Sequence, residues 1–128
     1  ILEQYCKAVN VEANIVTEMV NTKYLPAAIR YQTELASNAA TLKAVGAKVD
    51  TKLLDKVSTL IGDLQIELNK LEAIRGHHAK DLMEAATHYC REVLPQLLVI
   101  RKLVDALEAI VADDAWPVPT YEEMLFIK

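Results

Sequence analysis

The apolar residues of this chain recur at steps of three and four along almost its whole length, and no segment alternates with period two for long enough to make a strand. Leu2, Cys6, Val9, Ala13, Val16 and Val20 form one helical stripe. Beyond Pro26 it resumes as Ala28, Tyr31, Leu35, Ala39 and Leu42. Gly46 closes that helix, because a left-handed residue is what a helix C-cap needs. Too few loop residues surround Tyr24-Leu25-Pro26 for a reversal, so Pro26, which removes the hydrogen bond to the Thr22 carbonyl, predicts a kink within one long helix.

A second helix opens at Asp50, placed to accept from the orphan amides, with Val49 and Leu54 spaced as a hydrophobic staple. Its stripe is Leu53, Val57, Leu60, Leu64, Leu68, Leu71 and Ile74. Gly62 lies inside it, marking either close helix packing or a tolerated loss of about 1 kcal/mol relative to alanine. Arg75-Gly76-His77-His78 reads as the second turn, with one helix running on through it as the alternative. The third helix carries Leu82, Ala86, Tyr89, Val93, Leu97, Ile100, Val104, Leu107 and Val111, contains Pro95, and is expected to end at Asp113-Asp114, where acidic side chains oppose the helix dipole. Trp116-Pro117-Val118-Pro119 must then be extended. Thr120 through Glu123 reads as a capping box for a short last helix, which would return Leu125 and Phe126 to apolar surface. The expected fold is all-α: a bundle of long, proline-kinked amphipathic helices with a short C-terminal helix.

Residues 1–128 make one helical domain, long enough to bury roughly 65 to 70% of its unfolded surface without a staple. With Ile1 already in helical register and no initiator Met, the chain reads as a piece of a longer protein. A helix from Leu2 to Val45 would be about 66 Å long and one from Thr51 to Arg75 about 37 Å. The stripe from Leu2 to Val16 is therefore expected to overhang its own second helix and find no partner within the bundle.

Fourteen Lys and Arg against eighteen Asp and Glu give a net charge of -4 with no basic cluster, which argues against nucleic acid as a partner. The apolar runs are far too short to span a bilayer and no signal peptide opens the chain, so a membrane is not a partner and a cytoplasmic location is expected. Three isolated glycines cannot build a phosphate-cradling loop. Cys6 and Cys90 lack any Cys-x-x-Cys spacing and read as structural thiols.

The one concentration of metal-type ligands is His77, Asp81, Glu84 and His88, at offsets of four, three and four on one helix face. A metal centre needs ligands from a second helix too, and a Glu-x-x-His pair is missing, so the set reads as a solvated polar face. His77 or His78 as a phosphate acceptor is the alternative, although neither has the flanking glycine that admits a partner. Cys90 and His88 point in different directions on a helix, and Glu122-Glu123 belongs to a helix start. No catalytic, cofactor-binding or metal residue is assigned.

Val11-Glu12-Ala13-Asn14, Met19 and Tyr24-Leu25-Pro26-Ala27 resemble the helix that follows the catalytic region in type III glutamine synthetases. Val93-Leu94-Pro95, Arg101, Asp105-Ala106-Leu107-Glu108, Ile110-Val111, Trp116-Pro117-Val118-Pro119-Thr120-Tyr121 and Leu125-Phe126 are similar to that family's C-terminal end. The likeness covers essentially the whole chain. It implies a parent enzyme that joins glutamate and ammonia at the expense of ATP, with Mg or Mn held by an upstream catalytic domain, assembled as a dodecamer. This chain would then be a non-catalytic C-terminal assembly or positioning domain, its partners the catalytic domain of the same chain and further copies of the enzyme. It would hold no cofactor itself. A stand-alone helical adaptor or histidine phosphotransfer module is the alternative.

Overall fold

In the computed structural model, residues 2–75 and 82–111 are described, and every regular element among them is helical. The first arm is α1 (Leu2–Met19), a π turn (Val20–Tyr24) and α2 (Leu25–Ala44). The second is α3 (Lys52–Arg75). The third is α4 (Leu82–His88), a second π turn (Tyr89–Val93) and α5 (Leu94–Glu108). The all-α expectation holds.

Polar latches fix the directions of the arms. Gln32 Nε2 donates to Ser58 Oγ at 2.8 Å, and at the other end Arg75 donates to Asn10 Oδ1 at 3.0 Å and to Asn14 Oδ1, so α3 runs antiparallel to the first arm. Gln96 Nε2 donates to the Glu67 carbonyl at 2.8 Å, and a His88 ring nitrogen lies 2.8 Å from the Ile74 carbonyl, so the third arm runs antiparallel to α3. The chain thus reverses between Arg75 and Leu82, which excludes one continuous helix there; residues 76–81, and with them Gly76, His77, His78 and Asp81, lie outside the described residues. The tail expected to carry Trp116 and the capping box, residues 112–128, lies outside them as well.

Both internal prolines sit inside helical arms, each as the second residue after a π turn: Tyr24-Leu25-Pro26 and Val93-Leu94-Pro95. The Leu25 N–H donates to the Val20 carbonyl, five residues back, and the Thr22 hydroxyl donates to the Glu18 carbonyl at 2.7 Å. A π turn holds one residue more than an α turn and opens the helix just ahead of the ring that would otherwise crowd a carbonyl. It also shifts the register of the buried stripe, which passes from Val20 to Leu25 in a step of five and then on to Ala28.

The core runs the length of the bundle and contains no buried charged or polar residue among those described. Val57, Leu64, Leu71, Ile100 and Leu107 are fully enclosed, and the first arm adds Val9, Ala13, Val20, Leu25, Ala27 and Ala28. Val9 and Ala13 correct the expectation of an unpartnered N-terminal stripe. α4, at the start of the third arm, packs against α1 and supplies a partner besides the second helix.

The caps behave as their chemistry requires. Gly46 has φ +79°, its N–H donates to the Lys43 carbonyl at 3.1 Å, and the Ala47 N–H donates to the Leu42 carbonyl at 2.9 Å, a Schellman closure of α2. Asp50 Oδ1 accepts from the Lys52 N–H at 2.9 Å, while the first helical carbonyl is that of Thr51, which takes the Asp55 N–H at 2.8 Å. The third arm ends at Glu108, five residues before Asp113, and the Ile110 N–H closes onto the Leu107 carbonyl three residues back, the tightening common in a helix's last turn. A Cβ placed on Gly62 meets nothing within 4 Å, so close packing does not account for that glycine. Gly62→Ala is expected to raise stability by about 0.5 to 1 kcal/mol, and Gly46→Ala, whose added methyl also has free space but whose backbone is left-handed, to lower it by about 1 kcal/mol. Urea unfolding of the two variants checks the opposite signs.

Candidate functional site

Among the described residues, the side chains with metal-ligand chemistry do not converge. Glu84 and His88 are half-buried rather than on a fully solvated face, and the His88 ring is held by the Ile74 carbonyl, which corrects the reading of that set as a solvent-facing stripe. Among the described residues no group of three or more His, Cys, Asp or Glu is placed to hold a metal ion. Cys6 is a free, half-buried thiol, and the Cys90 side chain lies outside what is described. Glu122 and Glu123 fall in the undescribed tail.

Two polar clusters stitch the arms together. Gln96 Nε2 reaches both the Glu67 carbonyl and Glu67 Oε2, the latter at 2.7 Å, and Lys70 Nζ stands 3.1 Å from Glu67 Oε1. The Gln96 hydrogen bond first and the Lys70 hydrogen bond second, with the Lys70 charge adding to them, hold the Glu67 carboxyl below its ordinary range against the opposing effect of desolvation. A carboxyl whose pKa is lower folded than unfolded stabilises the fold above its unfolded pKa, and that contribution is lost as pH falls through the lowered value. Gln96→Ala is expected to move the Glu67 titration back up toward the ordinary glutamate range and to cost about 1 kcal/mol at neutral pH. Carboxyl-detected NMR titration and neutral-pH denaturation measure both. In the second cluster, the Arg75 guanidinium is held by the amide oxygens of Asn10 and Asn14, and its Nε is buried without a hydrogen-bond partner.

A groove of about 570 Å³ lies between the first arm and α5. Its floor is apolar, built from Ile15, Val16, Met19 and Val20 on the first arm and Ile100 and Val104 on the third. Glu12, Arg101, Asp105 and Glu108 supply its charged groups, and Arg101 reaches Glu12 at 3.4 Å. Tyr24 sits at one end. Burial raises its phenol pKa, the Glu108 and Asp105 carboxylates raise it further, and Arg101 partly offsets them. Such a surface can bind and orient a partner; it offers no paired nucleophile and base for a reaction.

Sequence comparison supplies what geometry alone does not. Residues 1–43 match the family model described as the glutamine synthetase C-terminal domain. Over its full length the chain is 28% identical to the type-3 glutamine synthetase of Dictyostelium discoideum. Over 99% of its length it is 26% identical to a glutamine synthetase of Bacteroides fragilis, and over 98% it is 26% identical to one of Butyrivibrio fibrisolvens. The chain resembles the C-terminal domain of type III glutamine synthetases. It spans about a fifth of each relative, 19% in all three comparisons. The likeness to glutamine synthetases thus extends through α3 and the third arm, beyond the residues that the family model matches.

Proposed function

We propose that this chain is a non-catalytic C-terminal domain of a type III glutamine synthetase, serving assembly or positioning of an enzyme that makes glutamine from glutamate, ammonia and ATP. The observation that carries the reading is the full-length match to a type-3 enzyme of which this chain covers 19%. The donor set here does not fit the divalent metal such an enzyme uses, because the described carboxylates and histidine are dispersed over the arms. In this reading the Mg or Mn and nucleotide sites lie in an upstream catalytic domain, as the resemblance implies, and no step of the reaction is assigned to residues of this chain. Its outer faces contact that catalytic domain and, in a cytoplasmic dodecamer, other subunits. Removing residues 1–128 from the full-length polypeptide tests the role: light scattering is expected to show a smaller assembly or sedimentation a loosened one. A truncated enzyme of unchanged mass, shape and specific activity would contradict an assembly or positioning role.

A further inference from the structure

α1 carries two apolar stripes. Val9 and Ala13, in line with Val20 of the π turn, lie in the core, whereas Ala8, Val11, Ile15 and Met19, at steps of three, four and four, line the groove against α5. Val11 is 54% exposed and Ile15 51%, on a helix whose other face is already covered. The groove also holds three carboxylates, Glu12, Asp105 and Glu108, against the single guanidinium of Arg101, which turns toward Glu12. Charge complementarity selects among occupants. A second copy pairing this face with itself would oppose carboxylates to carboxylates. The chain's own last seventeen residues carry Asp113, Asp114, Glu122 and Glu123 against Lys128 alone, the wrong sign again.

We propose that this groove docks a basic amphipathic helix from the part of the polypeptide outside this chain, apolar side chains against Val11 and Ile15 and a lysine or arginine beside Asp105 and Glu108. The proposal rests on the functional reading above, in which four-fifths of the enzyme lies outside residues 1–128. Helix-in-groove recognition needs what this site has, an apolar floor between two helices with charge at its edge.

The experiment places a thiol at the groove, Ile15→Cys, and follows iodoacetamide alkylation of residue 15 by peptide mass spectrometry in the isolated chain and in the full-length protein. Circular dichroism melting confirms that each variant folds. Alkylation is expected to be at least about tenfold slower in the full-length protein. Adding Asp105→Lys and Glu108→Lys, or the milder Asp105→Asn and Glu108→Gln, is expected to recover most of the free rate. Equal rates in the two proteins would overturn the proposal, and protection indifferent to the charge changes would overturn the basic partner. Protection of the isolated chain that rises with concentration would assign the groove to a second copy. Protection there that vanishes on removing residues 112–128 would assign it to the tail. The labelling does not depend on turnover, so a full-length protein that forms no glutamine would fail the functional reading separately.

Discussion

Leu64→Ala is expected to destabilise the isolated chain by about 3 kcal/mol, the middle of the range for a leucine truncated in a sealed core. Leu64 has no exposed surface and lies midway along α3, the arm that packs along both α2 and α5. The cavity would therefore open in the middle of the helix on which both α2 and α5 pack. Ile66 is the internal control: two residues away on the same helix and 54% exposed, its truncation to alanine is expected to change stability by no more than about 0.5 kcal/mol. Urea denaturation followed by helical ellipticity measures both. A Leu64→Ala loss below about 1 kcal/mol would contradict the placement of α3 at the centre of the bundle.

The second large effect runs in the opposite steric direction. Ala13, Ala27 and Ala28 are completely buried although each offers only a methyl group, so neighbouring groups stand directly against the first-arm backbone at these points. Ala28→Leu is expected to cost about 2 to 3 kcal/mol through forced rotamers and separated helices. That loss would lower the melting temperature by about 10 °C in a domain of this size. Ala36, on the same helix and exposed, should accept leucine with no comparable loss. Differential scanning calorimetry of the pair distinguishes overpacking from any general intolerance of α2 to larger side chains.

The parts of this fold legible in the sequence are those decided within a few residues of each other. The stripe Val9, Ala13, Val20, the left-handed Gly46 and the acceptor Asp50 are local facts of spacing, backbone freedom and side-chain oxygen. The π turns are another matter. Pro26 signals an irregularity, but whether a helix bends or takes in an extra residue depends on which hydrophobic register the next segment must meet. The step of five from Val20 to Leu25 was the available signal. Ile61 was missed and Leu53, 41% exposed, was placed in the buried stripe, because α3 faces two partners and its covered surface is broader than one seam. The third arm ends at Glu108 with a tightened bond from Ile110 to Leu107, although the apolar pattern runs on through Val111. The groove could not be read at all. Val11 and Ile15 look like the margin of one wide apolar face until α4 and α5 are set beside α1 and leave that margin open. The latches of Gln96 on Glu67 and Arg75 on Asn10 likewise depend on register between distant arms.

The measurement that bears most directly on the account is glutamine formation by the full-length polypeptide and by residues 1–128 alone, each purified and supplied with glutamate, ammonia, ATP and magnesium. The account predicts glutamine and stoichiometric phosphate from the full-length protein and none from the isolated chain, which should nonetheless melt cooperatively as a folded helical domain. Phosphate release by the isolated chain that survives repurification, or a folded full-length protein that makes no glutamine, would contradict it.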